Sequence, residues 1–270
     1  MDYSVSDHFT ITVDKYILCF CYGKRLYNRK KFKTSLKLFK RAFYINQTDS
    51  CLNYIGCCYI ALKDYAAAEC CLNNLIQKRS KWIQPYINMA RVYLNSKVPE
   101  KAYPFLKKAE QIDAQNVDVL FYLGKYYSAV KDYGNAIRYL QKSLDIKYDQ
   151  ADGHLTLGAA YYRAELFQQA LKEFIIGYEL DNTDLDARFD QALAYMALKE
   201  DEKALGILIE VTRSDPNNEK FMRTLGACYY RLQKYEDAKS TFVAVLKLDP
   251  QNEYAQKNLR LISEIEKNPA

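Results

Sequence analysis

Cysteine and histidine carry the most versatile chemistry in this chain, and their spacing uses little of it. Seven of the eight cysteines precede residue 72: Cys19 and Cys21, Cys51, Cys57 and Cys58, then Cys70 and Cys71. A zinc site would need pairs about two to four residues apart, completed by further Cys or His. None of these pairs has that gap, and His8 is the only histidine in that half. A chain of this size has core enough to fold without staples, so the thiols read as small hydrophobes. The chain also lacks a glycine-rich phosphate loop, a nucleophile elbow and a zinc-protease motif. His8 and His154 have no catalytic company in the sequence. We therefore expect no catalytic residue, no metal and no cofactor.

Charge gives the first asymmetry. Residues 1–48 hold ten Lys or Arg against three Asp, whereas the whole chain carries a formal charge of +6. Lys30, Lys31, Lys33, Lys37, Lys40 and Arg41 concentrate this excess. Such a patch could hold nucleic acid or an anionic membrane; with no nucleic-acid motif present, the reading favours a solvated end or a protein-docking patch. No apolar run is long enough to span a bilayer, and the N-terminus lacks the order of a secretory signal. The expected location is the cytoplasm.

The elements that must position any site follow from a strict period. Gly23, Gly56, Ala90, Gly124, Gly158, Ala192 and Gly226 recur every 33 or 34 residues. Three residues later stands Leu26 and then a tyrosine each time: Tyr59, Tyr93, Tyr127, Tyr161, Tyr195 and Tyr229. Twelve residues after each glycine or alanine comes Ser35, Ala68, Ala102, Ala136, Ala170, Ala204 or Ala238. Four residues beyond these stand Phe39, Leu72, Leu106, Leu140, Phe174, Leu208 and Phe242, on the same helical face. Each unit therefore reads as two amphipathic helices of ~21 Å, marginal alone and stable when stacked. The small residues let the paired helices approach, with Gly158 set against Ala170 and the tyrosine filling the wider part of the wedge.

Leu225-Gly226, Tyr229, Ala238, Phe242, Val245 and Pro250 resemble the tetratricopeptide repeat signature. The resemblance extends over units 16–48, 49–82, 83–116, 117–150, 151–184, 185–218 and 219–252. It implies an all-α fold, a right-handed superhelical solenoid of seven antiparallel helical hairpins. Residues 253–267 form a C-terminal capping helix in which Tyr254, Asn258, Leu259, Ile262 and Ile265 cover the last unit. Residues 1–15 form an N-terminal extension where Phe9, Ile11 and Val13 alternate with polar neighbours, an extended or strand-like segment. Pro99 fits a first helical turn; Pro104 should kink the interior of the same helix. Arg188, at a mostly apolar repeat position, implies a looser seam or a snorkelling guanidinium.

The resemblance further implies that first helices line a concave groove. Its recognition positions place Lys24, Tyr27, Asn53, Arg91, Asn95 and Lys125 in an N-terminal part suited to an acidic or carboxylate partner. Phe121, Tyr162, Arg163, Phe189, Met196, Tyr230 and Arg231 fall in an aromatic and arginine-rich C-terminal part, the composition of interface hot spots. The chaperone-tail carboxylate clamp is broken: Asn88 keeps its place, but Asn53, Cys57, Asp118 and Tyr122 depart from the pattern. Asp118, Asp152 and Asp186, repeated in three units, read either as a ladder for a basic peptide or as first-turn caps. The expected function is a non-enzymatic scaffold or adaptor binding a peptide, helix or domain of one or more partner proteins in its groove. The alternative is a self-associating architectural subunit joined through convex or end surfaces.

Overall fold

The computed structural model describes the backbone of residues 4–267 and the side chains of residues 14–267. Fifteen α-helices fill the described residues, paired as antiparallel hairpins with one extra helix at the C-terminal end, and no β-strand occurs among them. The chain divides into two compact units, one ending at Ile146 and the other starting at Lys147.

The first unit holds α1 (Ser4–Asn28), α2 (Phe32–Ile45), α3 (Asp49–Ala61), α4 (Tyr65–Lys78), α5 (Ile83–Asn95), α6 (Tyr103–Ile112), α7 (Val117–Ala129) and α8 (Tyr133–Ile146). The second holds α9 (Ala151–Arg163), α10 (Phe167–Leu180), α11 (Leu185–Ala197), α12 (Asp201–Ser214), α13 (Glu219–Arg231), α14 (Tyr235–Leu248) and α15 (Glu253–Lys267). Every odd-numbered helix from α1 to α13 packs on the helix that follows it, and α15 packs on α14.

The small residues do permit close approach, but their opposite number differs from the expected one. A Cβ added to Gly158 would lie 2.7 Å from two ring carbons of Phe174 and 3.2 Å from the carbonyl of Ala170. A Cβ on Gly124 would likewise lie 2.5 Å from Leu140 Cγ. The glycine thus makes room for the large residue sixteen positions on, and Ala170 brings its backbone close. Phe39, Leu72, Leu106, Leu140, Phe174, Leu208 and Phe242 are accordingly all buried.

The tyrosine of the period has a second role that the sequence pattern did not disclose. In all seven hairpins the carbonyl of Leu26, Tyr59, Tyr93, Tyr127, Tyr161, Tyr195 or Tyr229 accepts a 2.9 Å bond from the N–H five residues later. The intervening residue, Lys30, Lys63, Lys97, Lys131, Glu165, Lys199 or Gln233, has φ between 58° and 64°. This is a Schellman ending, usually made with glycine and here made without it.

Four of the first helices are capped at their starts by the side chain of the residue just before them. Thr48, Asn116, Asp184 and Asn218 accept backbone N–H bonds through their side chains. Asp118 and Asp186 therefore stand in first turns, where a carboxylate opposes the helix dipole, but the N–H acceptors are Asn116 and Asp184.

Two expectations change and a third holds only in part. The N-terminal segment is helical from Ser4, being part of α1; the side chains of Phe9, Ile11 and Val13 lie outside the described residues. Pro104 does not kink a helix interior. The second helix of its hairpin is interrupted: Pro99–Lys101 make a short 3-10 turn and α6 restarts at Tyr103, leaving Pro104 in a first turn where no N–H is required. Tyr254 covers the last hairpin only in part, its ring edge-on against Phe242 of α14 with centres 6.1 Å apart. Ala255, Asn258 and Ile262 face inward from α15, while Tyr254 is exposed. Arg188 snorkels to Glu210 (3.0 Å) and donates to Gln191 Oε1 (2.8 Å).

Gly158→Leu should overpack the α9/α10 hairpin and cost about 1–3 kcal/mol. Thermal unfolding checks this; an unchanged midpoint would mean that Phe174 does not occupy the space opposite Gly158.

Candidate functional site: two groups of first-helix side chains

In the first unit, α1, α3, α5 and α7 bring together a buried polar group. Asn88 is fully buried; its Nδ2 donates to Asn53 Oδ1 at 2.9 Å, and Arg91 Nη1 donates to Asn88 Oδ1 at 2.9 Å. The guanidinium lies 5.9 Å from the Tyr122 ring centre, with the Tyr27 phenol and the Cys57 thiol near enough to feel its charge. Burial pushes the Tyr27 phenol and the Cys57 thiol up, so both are neutral at pH 7.

The other residues expected here sit around this group or apart from it. Lys24 is exposed, 5.8 Å from the Tyr54 ring centre. Lys125 lies 5.4 Å from the centre of the half-buried Phe121 ring. Asn95 is exposed, and its carbonyl accepts a bond from the Tyr65 hydroxyl. Lys30, Lys31, Lys33, Lys37, Lys40 and Arg41 are exposed along the α1–α2 turn and α2.

In the second unit a cavity of about 310 Å³ opens between first helices. Tyr162 from α9, Leu193 and Met196 from α11, Arg223, Ala227 and Arg231 from α13, and Tyr254 from α15 are among its lining residues. Arg231 is fixed by Asp201 at 3.1 Å and by the Met196 carbonyl at 2.8 Å. Arg223 reaches Glu219 at 3.4 Å and lies 5.2 Å from the Tyr254 ring centre.

Phe189, expected to face a partner, is a core residue. It is 1% exposed, packs on Phe221 with ring centres 4.9 Å apart, and is covered by Lys220 Nζ at 4.3 Å. Tyr230 packs edge-on against Tyr235 and Arg163 is exposed, both outside the cavity lining. His154 is buried, its ring nitrogens 2.7 Å from Glu173 and 2.9 Å from the Tyr148 carbonyl. Among the described residues no three His, Cys, Asp or Glu side chains converge on a metal-sized space, and no helix is long and apolar enough to cross a membrane. The eight cysteines are free thiols.

Tetratricopeptide repeat profiles match residues 83–116, 117–150, 186–218 and 220–252. The chain belongs to the tetratricopeptide repeat family. Among curated proteins it is 28% identical over 139 residues to the BBSome complex member BBS4 of Bos taurus, an alignment covering 51% of this chain and 26% of that protein. The chain thus matches about a quarter of that relative's length. A thermophilic tetratricopeptide repeat protein of Thermus thermophilus superimposes with a TM-score of 0.63 at 20% identity, over 67% of this chain and 99% of its own. YrrB, described as having an unusual peptide-binding site, gives 0.60 at 22% identity over 70% and 97%. A chain of the APC/C hetero-tetramer Cut9-Hcn1 gives 0.69 at 14% identity over 91% and 55%. At these identities the structures show a shared fold, one whose members generally act as protein–protein interaction modules.

The repeat register explains which cavity residues sequence reasoning missed. Leu193 and Ala227 stand at the same place in their repeats as Arg91, and Arg223 at the same place as Asn53 and Phe189. One register position therefore gives a buried Asn53, a core Phe189 and a cavity-lining Arg223. Tyr254, beyond the last tetratricopeptide repeat, had no register to place it.

Asp190, half-buried on α11, carries a carboxyl displaced toward neutral pH. Burial pushes its carboxyl from 3.8 to about 6, with Asp186 and Asp184 adding to the rise and Lys220 opposing it. The fold therefore favours the protonated form. That contribution is intact below the unfolded value near 4 and lost as pH rises through about 6. Asp190→Asn should stabilise the protein near pH 7.5 by on the order of 2 kcal/mol and have little effect near pH 4. Urea unfolding of both proteins at the two pH values checks the sign; a pH-independent difference would rule out the buried carboxylate as its source.

Proposed function

We propose that this chain is a non-enzymatic scaffold or adaptor that holds a peptide, helix or domain surface of a partner protein against its first helices, within a multiprotein complex. The observation that carries the reading is the cavity of the second unit. Its lining comes from the first helices α9, α11 and α13 together with α15, and no second helix contributes. Leu193, Met196 and Ala227 offer an apolar floor, with Tyr162 and Tyr254 beside it. Arg231 is held by its two contacts, and Arg223 retains exposed surface for an acceptor from the partner. Such a surface is already ordered before binding, so little side-chain entropy is lost there. The similar proteins, among them a BBSome complex member, a hetero-tetramer subunit and a protein with a peptide-binding site, support the same class of work.

A second reading, self-association through an end surface, draws on α1. Ile17, Leu18 and Tyr22 are 48%, 70% and 51% exposed there, a sizeable apolar stripe in the first hairpin. Light scattering across a concentration series separates a monomer from an assembly, and Leu18→Glu should abolish any self-association that uses this stripe.

The principal reading is tested by selecting peptides from a displayed library on the whole protein. Ala227→Trp fills the cavity without removing a hydrogen-bonding side chain, and should weaken the selected peptides by about tenfold or more. Selected peptides that bind Ala227→Trp as tightly as the unmodified protein would exclude the cavity as the recognition surface.

A further inference from the structure

On α1, Phe20 and Tyr27 pack against Tyr54 of α3. Lys15, Leu18, Tyr22, Arg25 and Arg29 recur at steps of three and four residues on the other side of that helix, and all five are exposed. A leucine and a tyrosine at the centre of this face are thus bracketed by cations in both directions. The second helix continues the pattern: Leu36 and Phe43 join the cluster shared with α3, whereas Lys37 and Arg41, away from them, are exposed. Residues 14–48 hold ten Lys or Arg against Asp14 alone. Among the described residues none of the ten makes an ion pair, and Asp49, the next carboxylate along the chain, is taken by Lys78 and Arg79. The fold therefore leaves this charge unanswered, beside apolar side chains that gain by leaving water.

We propose that this side of the first hairpin docks on an anionic lipid bilayer, with Leu18 and Tyr22 entering the interface and the cations around them meeting the head groups. That partner answers both halves of the surface. Acidic head groups attract Lys and Arg held within a Debye length of them, and the long basic side chains reach outward while their stems lie along apolar neighbours. The boundary between head groups and acyl chains takes Leu18 out of water and suits a tyrosine ring with its hydroxyl. A nucleic acid would answer the cations and leave Leu18 unrewarded. A second copy of this chain would cover Leu18 but set like charges face to face. Charge alone favoured a solvated end; the apolar centre of the exposed face is what the structure adds. The surface goes beyond the partner-binding reading and does not depend on the cavity of the second unit.

The test is co-flotation of the full chain with vesicles of phosphatidylcholine alone and of phosphatidylcholine with about 30% phosphatidylserine. The protein should float with the anionic vesicles only, and less as salt is raised from about 0.1 to about 0.5 M. Arg25→Gln combined with Arg29→Gln should lower the partition coefficient by about tenfold or more, and Leu18→Ser by about tenfold. Lys108→Gln combined with Lys142→Gln, which removes the same charge from exposed sites on α6 and α8, should bind as the unmodified protein does. All of these positions are exposed, so the melting temperatures should stay the same. In Leu18→Trp, brominated lipid should quench emission beyond the level set by Trp82, the one native tryptophan. No flotation, equal flotation with both vesicles, or unchanged binding by Leu18→Ser or by the arginine pair would overturn the proposal. Binding of a single-stranded oligonucleotide without vesicle binding would overturn it in favour of nucleic acid. Self-association in lipid-free solution that Leu18→Ser abolishes would overturn it in favour of a second copy.

Discussion

The whole arrangement depends on one close approach. Within each hairpin a glycine or alanine on the first helix leaves the volume that a large residue on the second helix fills, as Gly158 does for Phe174 and Gly124 for Leu140. Side chains are packed at crystal-like density in such interiors, so one missing Cβ sets the distance between two axes. Once that distance is set, the helical period assigns the packing positions of the hairpin. Residues flanking the contact enter the core, and residues of the first helix pointing away from its partner remain available to line the second unit's cavity.

The turn that closes each hairpin shares this dependence. Its left-handed residue is never glycine, and five of the seven are lysine. A Cβ in that conformation costs roughly 1–2 kcal/mol, which the 6→1 bond to the tyrosine or leucine carbonyl and the packing of both helices offset. The irregular hairpin at Pro99–Lys101 keeps the same turn, with Lys97 left-handed and Val98 bonded to Tyr93, and absorbs its prolines afterwards by restarting the helix. Variation is tolerated where backbone donors are unneeded and excluded where the two helices meet.

Both units present first-helix side chains, but they treat charge differently. In the second unit Arg231 is held by Asp201 and the Met196 carbonyl, and Arg223 leans on Glu219 and Tyr254. In the first unit Arg91 is oriented by two buried asparagine amides, with no carboxylate on it among the described residues. The same fold thus offers one surface whose cations are largely answered and another whose central cation is not. The difference arises from a few side chains between the packing positions, so the family relationship alone does not reveal it.

The sequence by itself determined the helix count per repeat, the pairing and the packing positions, because those follow from a period that every unit repeats. It also placed Arg91, Tyr162, Met196 and Arg231 on first helices, where they are found. It misjudged Phe189, since repeat position cannot say that Phe221 from the next first helix and the Lys220 side chain close over that ring. Pro104 was misread for a related reason: the break at Pro99–Lys101 lies upstream and moves the helix start past it. Only the tertiary structure decided which cations have partners and that Tyr254 turns toward Arg223. Contacts such as Arg231 with Asp201 and Arg223 with Tyr254 join residues about thirty positions apart through side chains free to choose among rotamers, and a periodic pattern constrains the backbone that carries them but not the partner each one finds.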